Sequence, residues 1–107
     1  MDNRFRFLWV LAVFALIFCA TCFAQSSGEA IYKQKCLNCH GIDGMANSGI
    51  GKIMKVKPVS EPEVKKLSEA EMIALTRNGV GKMQSYKDEL TDAQIKASVE
   101  YFRKFIK

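Results

Sequence analysis

The sequence predicts a small all-α fold made of three or four short helices. Two helix starts are marked by capping boxes, in which a side chain at each end satisfies a free backbone N–H: Ser68-Glu69-Ala70-Glu71 and Thr91-Asp92-Ala93-Gln94. After the second box, one apolar stripe recurs at helical spacing through Ile95, Val99, Phe102 and Ile106. No parallel-strand pattern occurs, and 107 residues allow a single small domain.

Residues 1–24 have the features of an export signal. Arg4 and Arg6 precede an apolar run from Phe7 to Ala24 that ends in small residues. We therefore predict cleavage after Ala24 and a mature domain, residues 25–107, in the periplasm. The alternative is an uncleaved membrane anchor facing the periplasm, because the uncharged run is at the lower limit of a span. Lipidation of Cys19 or Cys22 is a third, minor option.

The mature domain is predicted to begin with a helix, GEAIYKQK, that leads to Cys36. Residues 41–51 contain four glycines and are predicted to be a loop. A brief helical turn is expected at residues 52–55, followed by a surface loop because Pro58 and Pro62 disfavour regular structure. The helix capped by Ser68 is predicted to end at Asn78-Gly79, and a loop then leads to the last helix.

The stretch CLNCH, residues 36–40, places the single histidine of the chain directly after a Cys-x-x-Cys pair. A thioredoxin-like redox pair would need a preceding strand and a βαβ sheet, which the sequence does not predict. Structural zinc would need four ligands, and Cys36, Cys39 and His40 supply three once the signal is removed. Covalent haem attachment uses all three residues. The two thiols add to the two haem vinyl groups, and the imidazole of His40 binds the iron.

The iron position opposite His40 has no second histidine to fill it, so the candidates are methionines. Met72 lies among apolar residues of a helix, where methionine is more often core filler. Met45 and Met54 lie close in sequence to the haem motif and would not wrap readily to the far side of the ring. Met83 lies in a glycine-bearing loop between two helices and is favoured by its position, with a core or surface methionine as the alternative.

The segment from Gly28 to Lys107 resembles the class I c-type cytochromes, the small bacterial kind with a single haem. The resemblance rests on four features in order: the G-x-x-x-aromatic start of residues 28–32, the CLNCHG motif of residues 36–41, the RNGVGKM loop of residues 77–83, and a last helix with Val99, Tyr101 and Phe102. It implies the cytochrome c fold, thioethers at Cys36 and Cys39, His40 as proximal ligand and Met83 as distal ligand.

Two residues depart from the pattern of that family. Gln84 follows Met83 where the family usually has proline, which leaves the loop less stiff and the iron–sulfur bond more labile. Gly49-Ile50 stands where the family often has Gly-Pro, whose carbonyl accepts the ring N–H of the proximal histidine. Metal-bound imidazoles need such a partner, so we expect a carbonyl of this loop to serve.

The expected function is one-electron transfer in a respiratory chain rather than catalysis, because Met/His ligation raises the potential of a haem that cycles between ferrous and ferric iron. The residues after Ala24 carry a formal charge of +4. A lysine-rich face at the haem edge, with Lys35, Lys82 and Lys87, is expected to dock an acidic face of a redox protein, such as a dehydrogenase, reductase or oxidase. Nucleic-acid binding is not predicted, and we expect a monomer. The rivals are a haem sensor or enzyme with an open iron position, and a subunit of a larger enzyme.

Overall fold

The computed structural model describes residues 3–6, 8–10 and 27–107 of the chain. Residues 3–6 and 8–10 are helical and exposed. The predicted export signal and its cleavage after Ala24 lie largely outside the described residues. Within the described ranges, no helix combines the length and the apolar character that crossing a bilayer requires.

Residues 27–107 form an all-α domain, as the sequence predicts. Its six helices are α1 (Gly28–Lys35), α2 (Leu37–His40), α3 (Gly49–Ile53), α4 (Pro62–Lys65), α5 (Glu69–Asn78) and α6 (Asp92–Arg103). Over this range the extended structure is confined to one isolated bridge between Val80 and Met83.

The predicted count of three or four helices was too low, because three of the six are single turns. The turn expected at residues 52–55 begins earlier, at Gly49, where the hydroxyl of Ser48 accepts a hydrogen bond from the N–H of Gly51. The proline at position 62, which we expected to prevent regular structure, begins α4. Proline suits the first position of a helix because its missing N–H would have no partner there in any case.

The two capping boxes are formed as predicted. Ser68 caps α5 and Thr91 caps α6, and in each box the side chain three residues later binds the backbone N–H of the capping residue. The helix α5 ends at Gly79, whose positive φ of 78° is readily adopted only by glycine. The helix α1 has the predicted bounds.

The helices α1 and α6 pack together, and their crossing is close at Gly28. A Cβ atom on this glycine would lie 2.6 Å from the carbonyl carbon of Ala97 and nearer still to its oxygen. Further along the same contact, the ring of Tyr32 packs against Tyr101, with ring centroids 5.3 Å apart, and against Phe105, at 5.6 Å. The absence of a side chain at position 28 therefore lets α1 lie close to α6 and to the aromatic residue that follows it.

The apolar core is formed by α4, α5, α6 and the residues that lead into α4. Its buried members are Val59, Val64, Met72 and Val99, and half-buried Phe102, Phe105 and Ile106 pack against them. Ile95 has no exposed surface. The apolar stripe predicted for α6 thus faces the core and continues into the turn after Arg103.

Candidate functional site

The residues of the Cys-x-x-Cys-His stretch lie on one helical turn at the junction of α1 and α2. The N–H of Cys36 donates to the carbonyl of Tyr32 at 2.9 Å, and the N–H of His40 donates to the carbonyl of Cys36 at 2.9 Å. Residues three and four apart share one face of a helix. The thiols of Cys36 and Cys39 and the imidazole of His40 are therefore held on neighbouring positions, and all three residues are half-buried.

The imidazole of His40 has an unused nitrogen in the interior. Its Nδ1 atom is buried and has no hydrogen-bond partner among the described residues. The ring packs edge-on against Phe102 of α6, with centroids 5.2 Å apart. Burial lowers the pKa of His40, which favours the neutral imidazole, the form that binds metal ions.

The two cysteines are free thiols. Burial, followed by the nearby Cys39, raises the pKa of the Cys36 thiol to about 11, so this thiol is protonated near neutral pH. In the described ranges, no three His, Cys, Asp or Glu side chains are grouped to hold a metal ion.

The loop after the motif is bound tightly against it. The hydroxyl of Tyr32 donates to the carbonyl of Gly41 at 2.6 Å, and the hydroxyl of Ser48 donates to the carbonyl of Asn38 at 2.6 Å. A Cβ atom on Gly51 would lie 2.5 Å from the carbonyl oxygen of Cys39. These contacts fix the backbone within the motif and directly after it.

The carbonyl that we expected to accept the ring N–H of His40 is not found. No hydrogen bond joins the ring to the loop of residues 41–51, and Nδ1 stays unpaired within the described part of the chain. The imidazole is instead held by its packing on Phe102.

Met83 lies in the loop between α5 and α6, half-buried. Its backbone pairs with Val80 in both directions, at 2.9 and 3.0 Å. The hydroxyl of Ser85 donates to the carbonyl of Arg77 at 2.7 Å. These bonds fold the loop back on the end of α5.

The other methionines have different surroundings. Met72 is buried in the core, and a guanidinium nitrogen of Arg103 lies 3.7 Å from its sulfur. Met45 packs against the same core from outside, and Met54 follows α3 as its capping residue. The placement of Met72 agrees with the core role expected for it.

The Met83 loop reaches the Cys-x-x-Cys-His stretch through Tyr86. The hydroxyl of Tyr86 donates to the carbonyl of Lys35 at 3.0 Å, directly before Cys36. The ammonium group of Lys35 lies 3.3 Å from a carboxylate oxygen of Glu89. No local pattern marks these contacts, because they join residues more than fifty positions apart.

The charges of the three lysines predicted to form a docking face are partly compensated. Lys35 forms the ion pair with Glu89, whereas Lys82 and Lys87 are exposed and form no ion pair with any described residue. Large apolar side chains are also exposed in residues 42–80, namely Ile42, Ile50, Ile53 and Val80. A flat apolar group bound beside such residues would remove part of this surface from water.

Comparison with known proteins identifies what the chain is similar to. Residues 23–102 match the model of a protein family described as cytochrome C oxidase, cbb3-type, subunit III. Among solved structures, the KustC0563 c-type cytochrome is 30% identical with a TM-score of 0.69, and the match covers 77% of this chain and all of that one. A mutant of Kustc0563 with phenylalanine in place of a tyrosine gives 28% identity and a TM-score of 0.67, covering 75% of this chain and 99% of that one. The comparison with curated proteins gave no match.

Proposed function

The chain belongs to the family described as cytochrome C oxidase, cbb3-type, subunit III, and from this premise we propose that it carries single electrons between redox proteins in the periplasm. The family consists of electron-transfer domains that hold haem c, and it does not act as an enzyme on its own. The proposal adds four specific points: one haem, named ligands, export from the cytoplasm and a docking face.

The observation that carries the proposal is the placement of Cys36, Cys39 and His40 on one helical turn, with two free thiols and an interior imidazole. Burial keeps the imidazole neutral, the form that binds metal ions. The residues present therefore suit a haem attached at this turn.

The proposed roles of the chain's own residues follow from this arrangement. Haem c supplies an iron that accepts and releases one electron. The thiols of Cys36 and Cys39 would hold the haem by adding across its two vinyl groups, one thiol to each, with the sulfur bonding to one carbon and the hydrogen passing to the other. His40 and Met83 would bind the iron, and the soft thioether sulfur of Met83 would favour the reduced state.

The proposed docking face is centred on Lys82 and Lys87. Both flank Met83, both are exposed, and neither charge is compensated by a described acidic residue. Lys35 contributes less than the sequence indicated because Glu89 pairs with it. Such a face would steer an acidic partner and give weak, rapid and salt-sensitive association.

A second candidate is an electron-accepting subunit of a larger enzyme. The description of the matched family, a subunit of an oxidase, favours it. Purification from the native source distinguishes the two candidates, because a subunit would stay with its enzyme and a free carrier would not.

The test of the ligand set is the absorption spectrum of the ferric and ferrous holoprotein, with carbon monoxide added to the reduced form. We expect low-spin ferrous bands, a weak sulfur-to-iron band at the red end of the ferric spectrum and no rapid binding of carbon monoxide. Met83→Leu should abolish the red-end band and admit carbon monoxide, and Met54→Leu, a matched control at another half-buried methionine, should do neither. Ready carbon monoxide binding by the unmodified protein would refute the His40/Met83 assignment and favour a sensor or an enzyme.

The docking face is tested by the rate at which membranes from the native source oxidise the ferrous protein. Neutralising Lys82 and Lys87 with glutamine should lower this rate and its dependence on salt. Lys33→Gln is the control, because Lys33 is already paired with Glu29. A double variant that matches the unmodified protein at every salt concentration would remove this face from the proposal.

A further inference from the structure

The segments that carry the proposed haem ligands are joined by two contacts at one place. One contact is the hydrogen bond from the hydroxyl of Tyr86 to the carbonyl of Lys35, and the other is the ion pair between Lys35 and Glu89. We call these two contacts the clasp. Among the described residues, every other hydrogen bond that residues 79–90 make outside their own segment goes to the end of α5.

Tyr86 is held in place by burial and by hydrogen bonds of its side chain and backbone, so it can restrain the loop that precedes it. Its side chain and backbone are 8% exposed, and its N–H donates to the carbonyl of Thr76 at 3.2 Å. Its own carbonyl accepts from the N–H groups of Glu89 and Leu90 at 3.0 and 2.9 Å. Burial raises the pKa of the Tyr86 phenol, so the hydroxyl stays a hydrogen-bond donor near neutral pH.

Between α5 and Tyr86 the loop is hydrogen-bonded to itself and to the end of α5, and none of these bonds reaches the Cys-x-x-Cys-His stretch. Gly79 and Gly81 have positive φ angles of 78° and 55°, and glycine loses the most conformational freedom when it is ordered. Gln84, directly after Met83, is exposed and does not restrict the backbone as proline would. Met83 is three residues from Tyr86, so a restraint at Tyr86 limits where its sulfur can lie.

We propose that Tyr86 is a positioning residue for Met83: its bond to the Lys35 carbonyl holds the loop against the chain that enters Cys36, and thereby holds the thioether sulfur on the iron. This inference rests on the proposed function, because it assumes that Met83 is the distal ligand. Tyr86 acts through the backbone and does not itself bind the iron.

The test is the rate at which carbon monoxide binds to the ferrous holoprotein at saturating gas, where departure of Met83 limits the reaction. Loss of one hydrogen bond should speed this departure by between about threefold and tenfold in Tyr86→Phe. The matched control is Tyr101→Phe, which removes the hydroxyl of a half-buried tyrosine that forms no hydrogen bond with the described residues. The control rate should stay within about twofold of the unmodified protein, since no bond is lost.

A purely structural role for Tyr86 would give a different result. The urea midpoint would fall in Tyr86→Phe while the carbon monoxide rate and the red-end ferric band stayed unchanged, and that outcome overturns the inference. If the unmodified protein already binds carbon monoxide without delay, the ligand assignment to Met83 fails, and the proposed function fails with it. The two failures are therefore distinguishable.

If Tyr86→Phe does not retain haem, a variant of the ion pair between Lys35 and Glu89 tests the clasp instead. Glu89→Gln removes only the exposed half of the clasp. It should raise the carbon monoxide rate by about 1.5-fold to threefold at low salt, and the difference should vanish at high salt because screening removes the attraction. An unchanged rate at low salt would overturn the clasp.

Discussion

Replacing Gly28 by alanine should destabilise the fold through the contact between α1 and α6. The new Cβ atom would lie 2.6 Å from the carbonyl carbon of Ala97, whereas ordinary contact begins at 3.4 Å, so the helices would have to separate by about 0.8 Å or more. The obstructing atoms belong to the backbone and cannot rotate away. Overpacking of this kind costs about 1–3 kcal/mol.

A smaller effect acts in the opposite direction. Alanine reduces the conformational freedom of the unfolded chain relative to glycine and thereby stabilises a compatible helix by about 0.4–1 kcal/mol. At position 28 the steric cost is larger, so we expect the free energy of unfolding to fall by about 1–2 kcal/mol. The assay is urea unfolding of the ferric holoprotein, followed by circular dichroism.

Gly49→Ala is the matched control. Gly49 also begins a short helix behind a capping serine, but a Cβ atom there would meet nothing within 4 Å. This variant should be as stable as the unmodified protein or more stable. If Gly28→Ala were equally tolerated, the close crossing of α1 and α6 would be refuted. The visible absorption spectrum of the holoprotein gives a further readout. A shift of α6 would move Phe102, which packs on His40.

Two further predictions concern the backbone around the site. Gly79→Ala should lower the free energy of unfolding by about 1–2 kcal/mol, because a side chain is strained at positive φ and its Cβ would lie 2.8 Å from the carbonyl oxygen of Met83. Gly81→Ala should cost less, because a Cβ there would meet no neighbour within 4 Å. Equal urea midpoints for the two variants would contradict the steric argument. Tyr32→Phe should reduce the loss of stability in alkali. Burial raises the pKa of the Tyr32 phenol above its unfolded value near 10. The contribution of this phenol to stability is therefore complete below about pH 10 and declines as the pH rises beyond it. Urea unfolding between about pH 8 and pH 11 measures this, and a variant whose stability falls with pH as steeply as that of the unmodified protein would exclude Tyr32 as a source of the alkaline loss.

The sequence by itself determined the features that depend on near neighbours. The start of α5 follows from the capping box of Ser68, and its end follows from the positive φ of Gly79. The turn that holds Cys36, Cys39 and His40 needs only residues three and four apart. These interactions form within one helical turn, so a short window of sequence contains all the participants.

The single-turn helices show where local rules were weighed wrongly. Pro62 was taken as a breaker, but at the first position of a helix it removes no hydrogen bond, and α4 begins there. The early start of α3 follows from Ser48, which caps Gly51 while also donating to the carbonyl of Asn38. The sequence shows Pro62 and Ser48 as possible helix starts. The bond from Ser48 to the carbonyl of Asn38, however, depends on how the chain packs.

Only the tertiary structure decided how the distant segments meet. The bond from Tyr86 to the carbonyl of Lys35 joins residues 51 positions apart, and the packing of Phe102 on His40 joins α6 to α2. The tertiary structure also pairs Lys35 with Glu89, so the positive charge of Lys35 is partly compensated, which the sequence did not indicate. Such contacts require long loops of chain to close, which costs conformational entropy. Burial of the whole apolar core offsets this cost, so no short stretch of sequence predicts the contacts.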